Sequence, residues 1–483
     1  MSQVTFDTIL ENKVKFGKYQ YIAFSILALV DLTDGVELLT MSVLMPILQT
    51  EWKISDTTIE ITTSSFYLGM FAGAIITGRI ADMYGRKRTI ILACFFQFAV
   101  SLWFSFINSE ISLIILRFLY GVCYGFSLPI TISHIAEIST KDLRGKIIIC
   151  MNFCVSIGKI YGLFLIYICL NDFHSGNWRL MMIISAFTSL IVAIGNWYYL
   201  KESPRYYIAS GLINEGVETL DYIGNTNNPD YVNIDCDEVK GLILYQRQEF
   251  NLDDKSNYKA LFRPEMIGIT LRLWAIWFAL IFIEFGQYAI LPFIISSGGA
   301  GFGTYLFAIL GELPSIFFSL YVVDKENFGR KNTLTYCLIL VSLLNLIIYF
   351  CKDTLLGFNV FCERFLMKCC FSMLIPLTSE VYPTLYRVIG YGWASGCGRV
   401  AGFLSPFILF KLYRFDTFSP FLAFLVICLI ATYSSHTLPY DTIGLHLDEK
   451  REKLFTSSDK IEINRRFSGF IIDKQVELSE VKK

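Results

Sequence analysis

The sequence predicts an all-α membrane protein: twelve transmembrane helices in two pseudo-symmetric six-helix bundles. Three observations predict it. Apolar stretches of membrane-spanning length recur twelve times, the short loops between them divide by basic charge, and two charged motifs recur half a chain apart. The composition agrees: only 17% of the 483 residues are charged, against about 25% in an ordinary soluble protein. Those charges are also clustered, with 19 in 201–265 and 18 in 439–483. A formal net charge of −1 gives no polyanion-binding signal, so nucleic acid is excluded as a partner.

A bilayer core about 30 Å thick takes roughly 20 apolar residues at 1.5 Å each. The predicted spans are 20–48, 57–78, 89–108, 112–137, 146–170, 179–200, 266–295, 301–323, 333–351, 355–380, 387–411 and 417–438. They are continuously apolar rather than alternating, which excludes barrel strands. Lipid offers no partner to an unpaired backbone group, so each must be a helix. Basic residues gather in one set of loops: Lys13, Lys15 and Lys18, then Arg86, Lys87 and Arg88, then Arg144 and Lys146, then Arg330 and Lys331. By the positive-inside rule both termini and the 201–265 segment are cytoplasmic. The first apolar run, beginning near Tyr21, is too long for a cleavable signal peptide. The expected domains are a first bundle at 1–200, a linker at 201–265, a second bundle at 266–440 and a tail at 441–483. The linker should open with an amphipathic helix from Tyr206 to Ile223, ending at Gly224. No targeting motif separates plasma membrane from organelle.

The internal repeat rests on two motifs. Gly78, Asp82, Gly85, Arg86 and Lys87 follow the second span; Glu326, Gly329, Arg330 and Lys331 follow the eighth, 244 positions on. Glu137 and Arg144 are seven apart, as are Glu380 and Arg387, 243 positions on. Parallel repeats joined by a charged linker are a transporter signature. The glycines allow tight turns, and the charges are candidate gate latches between the bundles at the cytoplasmic face.

Charges inside a membrane are costly and mark function by default. Asp31, Asp34 and Glu37 line one stripe of the first span, placed for proton coupling or for neutralising Lys159. On the fifth span Asn152, Ser156 and Lys159 share a face. On the seventh Trp277, Glu284 and Tyr288 do so, with Gln287 beside them. Arg364 and Lys368 are one turn apart on the tenth, where Arg364 could instead snorkel to the membrane edge. Tyr391, Ser395 and Arg399 are four apart on the eleventh, and Trp393 lies among them. Lys159, Trp277, Glu284, Gln287, Tyr288, Trp393 and Arg399 are the candidate solute-binding set. No P-loop, metal-ligand cluster or nucleophile–base grouping appears, so neither an enzyme nor a cofactor is expected. The thirteen cysteines show no zinc spacing.

These motifs carry a resemblance. Gly78–Lys87 resembles the major facilitator superfamily's G-x-x-x-D-x-x-G-R-K loop. Arg117, Gly121 and Gly125 are similar to its fourth-helix R-x-x-x-G-x-x-x-G, and Glu202-Ser203-Pro204-Arg205 resembles its E-S-P-R. Asp34 with Glu37, Glu312-Leu-Pro314 and Glu380-Val-Tyr382-Pro383-Thr384 resemble the branch of organic cation and anion transporters and synaptic-vesicle-protein-like carriers. Glu326 or Asp324 stands for the usual second-half Asp. The resemblance implies a secondary active transporter working by alternating access, with a small organic solute and protons as partners in a lipid bilayer, as a monomer. In that branch the position resembling Arg399 is Arg in anion carriers, which implies an anionic or zwitterionic solute. It also implies that Glu312 and Arg117 hold helices together. A non-transporting relative serving signalling or vesicle trafficking is the alternative.

Overall fold

Span 1 (Lys18–Trp52) begins a series of long helices, each of them an apolar run closed by turn-forming residues. The computed structural model describes residues 6–171, 175–228, 231–234, 261–297, 302–322, 325, 328–352, 355–382 and 387–438. The first half continues with span 2 (Asp56–Tyr84), span 3 (Arg86–Phe104), span 4 (Glu110–Ile138), span 5 (Lys141–Cys169) and span 6 (Trp178–Tyr199). The second half comprises span 7 (Pro264–Ser297), span 8 (Phe302–Ile309 and Glu312–Val322), span 9 (Arg330–Cys351), span 10 (Leu356–Val381), span 11 (Arg387–Phe415) and span 12 (Pro420–His436). Ser55, Ser109 and Asn177 accept hydrogen bonds from Thr58, Ser112 and Leu180 N–H and start spans 2, 4 and 6 by satisfying donors that a helix leaves orphaned.

Eight of these helices are long and apolar enough to cross a membrane by composition alone. Spans 1, 10, 11 and 12 fall outside that group: spans 1 and 10 hold the buried charges Asp31, Asp34 and Glu37, and Glu363, Arg364 and Lys368, and span 12 has only 17 residues. Large apolar side chains such as Ile75, Trp197, Phe317 and Phe350 stand exposed. An aqueous protein would not tolerate so many; a lipid-facing surface requires them.

Within the first half, span 1 packs on spans 5 and 6, span 2 on span 4, and span 3 on spans 4 and 6. Within the second, span 7 packs on spans 11 and 12, span 9 on spans 10 and 12, and span 8 on span 10. The halves meet along spans 2 and 11, 5 and 8, and 1 and 7. Small residues decide the tightest contacts, because apolar surface alone does not drive helices together in lipid. A Cβ on Gly35 would lie 2.0 Å from the Val155 carbonyl oxygen, and one on Gly158 would lie 2.0 Å from that of Leu32. This mutual approach sets Lys159 beside span 1.

Two elements differ from the sequence expectation. Span 8 is broken at Leu310–Gly311. Pro314 cannot donate to the Leu310 carbonyl, which accepts from Leu313 instead at 3.1 Å; a proline removes the i→i−4 bond and crowds that carbonyl. The linker helix expected over 206–223 is two helices, Pro204–Ala209 and Ile213–Asn227. Gly211 turns the chain between them at φ +83°, in the left-handed region that suits glycine. The second helix passes Gly224, because the Asn227 side chain completes the start of span 1: its Oδ1 accepts from Tyr19 N–H and its Nδ2 donates to the Lys15 carbonyl, both at 2.9 Å. The rest of the linker and the 441–483 tail lie outside the described residues.

Candidate functional site

The break in span 8 puts Glu312 at the head of its second helix, facing Lys159 across the boundary between the halves. Lys159 Nζ donates to both Glu312 oxygens at 2.8 Å and lies 3.4 Å from Glu284 Oε1. Ser156 Oγ donates to Glu312 at 2.8 Å, and Tyr288 OH donates to it at 2.6 Å. Arg364 Nη1 stands 3.6 Å from Glu284 and 3.8 Å from Glu312. Its guanidinium lies 4.0 Å from the centre of the Tyr288 ring, and Lys159 Nζ is 4.8 Å from the same centre. One turn along, Lys368 Nζ donates to the Asn152 carbonyl and Oδ1, both at 2.9 Å. Spans 5, 7, 8 and 10 thus share one buried ionic cluster. Burying charges costs several kcal/mol each; Lys159 and Lys368 meet that cost with short hydrogen bonds, while Arg364 is held by longer ion pairs and the Tyr288 ring.

Arg364 is fully buried. The snorkelling alternative therefore fails; the spacing of Arg364 and Lys368 already signalled an inward stripe. Lys159 is neutralised by Glu312 and Glu284, not by the acids of span 1. Those acids turn into the first half. Asp34 accepts from Gln97 at 2.7 Å and Ser127 at 3.3 Å, Asp31 from Thr131 at 3.1 Å, and Glu37 from Ser185 at 3.5 Å. All three are almost completely buried.

Arg399 stands apart from the ionic cluster. Tyr391 of span 11 and Tyr124 of span 4 are its electrostatic neighbours, no acid lies within ion-pair distance among the described residues, and its Nε makes no hydrogen bond. Of the other expected solute-binding residues, Trp277 donates to Thr378 Oγ1 at 2.9 Å and meets Tyr391 edge-on. Gln287 is buried beside Glu363. Trp393 does not join the cluster: it is half exposed and stacks on Trp274 at 6.0 Å.

The gate-residue pairs seen among the described residues lie within each half. Arg86 bridges Asp82 and Glu137, each at 3.2 Å. Glu137 also accepts from Ser203, and Arg330 pairs with Glu380. Glu202 accepts from the N–H groups of Arg86 at 2.8 Å, Lys87 at 3.1 Å and Ser203 at 2.9 Å. Burial pushes the Glu202 carboxyl above its usual range, against the pull of those donors and Arg86. Gly85 and Gly329 both hold positive φ, +94° and +66°, as the two turns demand. Lys331 donates to the Leu438 carbonyl at 2.6 Å. The surroundings of Gly78 and the side chains of Arg144, Glu326 and Arg387 lie outside the described residues.

On the opposite face, Arg414 of span 11 pairs with Asp56 at 3.2 Å and with the buried Glu60 of span 2. Deeper in, Ser42 of span 1 hydrogen-bonds the Tyr288 carbonyl and Tyr305 OH at 2.8 Å. The polar ties between halves therefore run from the ionic cluster to this face. Among the described residues no ion pair joins the halves at the Gly85 and Gly329 face. The Arg414 tie leaves no local signal in the sequence, its partner Glu60 lying 354 positions away, and Glu363 is obscured by the neighbouring basic stripe of Arg364 and Lys368.

Twelve spans in two repeated halves with an ionic cluster between them define a membrane transporter rather than an enzyme. The Major Facilitator Superfamily profile matches residues 27–406, and the chain belongs to that family. It falls in the synaptic-vesicle-2-like branch: the synaptic vesicle 2-related protein of Rattus norvegicus is 26% identical over 465 residues, covering 91% of this chain and 82% of that protein. The niacin transporter NiaP of Acinetobacter baylyi is 24% identical over 411 residues, covering 83% of this chain and 88% of the relative. Among solved structures, the proton:xylose symporter XylE superposes with a TM-score of 0.69 at 17% identity, over 90% of this chain and 99% of that one.

Proposed function

We propose that this chain moves a small carboxylate-bearing solute, anionic or zwitterionic, across a membrane by alternating access. The carrying observation is Arg399, a cation between the halves with two tyrosines beside it and no acid to neutralise it. Its guanidinium can hold a carboxylate through two parallel hydrogen bonds. The ionic cluster supports the same sign, since Lys159, Arg364 and Lys368 outnumber Glu284 and Glu312 by one. Trp277, Tyr288 and Tyr391 supply aromatic surface for a planar solute. Nicotinate combines a carboxylate with a planar ring, and a relative is a niacin transporter, so it is the first solute to test.

The positive-inside rule assigns the face bearing the basic loops to the cytoplasm, together with both termini and the linker. Domain limits of 1–200, 201–265, 266–440 and 441–483 fit this arrangement. Asp31, Asp34 and Glu37 are the candidates for proton coupling, being buried carboxyls held only by neutral donors. The test is uptake of labelled carboxylates, amines and neutral solutes into proteoliposomes, with and without an inward-acid gradient. Arg399→Ala should weaken carboxylate binding roughly ten- to hundredfold, the worth of one lost hydrogen bond to a charge. Unchanged affinity in that variant, or amine uptake abolished by Glu284→Gln, would overturn the anion assignment. A folded protein that moves no solute would overturn the carrier.

A further inference from the structure

Glu363 lies on span 10, wholly buried, and neither the solute site nor the gates use it. Its Oε1 accepts from Asn345 Nδ2 of span 9 at 2.9 Å. Its Oε2 is buried and has no hydrogen-bond partner. Among the described residues no Lys, Arg or His lies within ion-pair distance. The adjacent Arg364 turns its Nη1 toward Glu284 and Glu312 instead. The surroundings are short of donors in the same way. Asn345 Oδ1 and Gln287 Oε1 are also buried acceptors without partners, and the only unpartnered donor on these two side chains is Gln287 Nε2.

The groups facing Glu363 are few. Span 7 brings Glu284 and Gln287, span 9 brings Asn345, and span 12 brings the Cys428 thiol. Spans 5 and 8 bring Lys159 and Glu312 to Arg364's side of the helix. No group of span 11 makes a hydrogen bond or ion pair with it among the described residues. A carboxylate faced here only by the neutral side-chain amides of Asn345 and Gln287, with no cation in ion-pair distance, would be a poorly compensated buried charge, a costly arrangement in a protein interior.

We propose that Glu363 is a proton-binding site of the second half, holding its proton at neutral pH, and that its release redirects Arg364. With a proton on Oε2 the carboxyl becomes a donor to the acceptors around it, and Arg364 is left to Glu284 and Glu312. When the proton leaves, a new anion stands beside Arg364. All three guanidinium nitrogens of Arg364 lack hydrogen bonds despite complete burial, so few directed contacts oppose its reorientation. The ionic cluster then loses one of its cations, and the contact between the halves is loosened from within the second half. The proposal does not depend on which solute is carried.

Infrared difference spectroscopy of the purified protein in lipid tests it directly. At neutral pH, wild type minus Glu363→Gln should show the loss of one carbonyl stretch of a buried protonated carboxyl, sensitive to deuterium exchange. Asn345→Val removes the donor to Oε1 and should shift that same band, which keeps the test open if Glu363→Gln does not fold. Loss of a carboxylate stretch instead, or no shift in Asn345→Val, would show Glu363 to be ionised and overturn the proposal. A carboxyl band that vanishes on adding sodium would overturn it too, by making the three free oxygens a cation site.

Discussion

Replacing Lys159 by Met should loosen the contact between the halves more than any other single change in the ionic cluster. Its ammonium supplies two 2.8 Å bonds to Glu312 and a 3.4 Å contact to Glu284. Without it, the only cation left within 4 Å of the two buried carboxylates is Arg364, at 3.6 and 3.8 Å, too long for hydrogen bonds, and Glu312 keeps only the neutral Ser156 and Tyr288 hydroxyls. Removing one partner of a buried pair costs about 3–5 kcal/mol, because the other charge is left buried and uncompensated. A loss of that size multiplies an opening equilibrium by a factor of roughly a hundred to several thousand. Hydrogen exchange reads this out: amides of 150–160 and 302–316 in Lys159→Met should exchange faster by that factor. The double variant Lys159→Met with Glu312→Leu should recover much of the protection, since replacing a whole buried pair with apolar groups is often near neutral. Double-mutant arithmetic then gives a coupling energy of about 1–3 kcal/mol. If the two substitutions add within about 0.5 kcal/mol, as distant independent sites do, the cluster is not an energetic link between the halves and the reasoning fails.

Gly125→Val should abolish folded protein, because a Cβ there would sit 2.0 Å from the Met70 carbonyl oxygen. Gly195→Ala, with nothing within 4 Å, should leave the size-exclusion profile and thermal midpoint unchanged. Glu202→Ala removes the acceptor for the Arg86 and Lys87 N–H groups and should destabilise the start of span 3 by about 1–2 kcal/mol, the usual worth of a helix N-cap. Faster exchange confined to the first turn of span 3 would be its signature.

The positions of the twelve spans were legible because lipid makes length and hydropathy nearly sufficient. The break in span 8 was written in Gly311 and Pro314, yet other spans tolerate interior prolines, among them Pro46, Pro292 and Pro406. Span 4 stays one helix with Gly125 and Pro129 in a similar arrangement, so the local pattern alone does not single out span 8. In the site, polar stripes gave the right helices but not the pairings. Lys159 could have met Asp34, Glu37, Glu284 or Glu312; helix rotation and the Gly35–Gly158 approach decide, and neither can be read from spacing. The gate motifs were legible as charges at helix ends. Whether they close within a half or across the boundary depends on how far the halves are tilted, which no local pattern encodes.

The internal repeat makes the position of Arg399 more telling than its burial alone. The 243-residue offset that carries Arg144 onto Arg387 also carries Ser156 onto Arg399 and Lys159 onto Gly402. The boundary between spans 5 and 8 thus has its counterpart between spans 2 and 11. At the first, Ser156 and Lys159 close on Glu312. At the second, Gly402 packs against Tyr67, and Arg399 finds no acid. At the first boundary the membrane-embedded cation is neutralised by the protein itself; at the second Arg399 is left without an acid, the span 2 acids Asp56 and Glu60 being taken by Arg414. A carrier needs an element that holds the halves together without its solute and another that is completed only with it. If both boundaries were self-neutralised, a bound anion would gain nothing at the interface; if both were left open, the empty carrier would carry two unpaired buried charges through every cycle. On the proposed function, the asymmetry gives the solute one distinct task, to supply a carboxylate at Arg399. A ligand shifts an equilibrium only by its differential affinity for the two states. A carboxylate that spans Arg399 and the tyrosines of the first half binds best when spans 2 and 11 are in contact. Its arrival on that boundary would therefore favour closure around it.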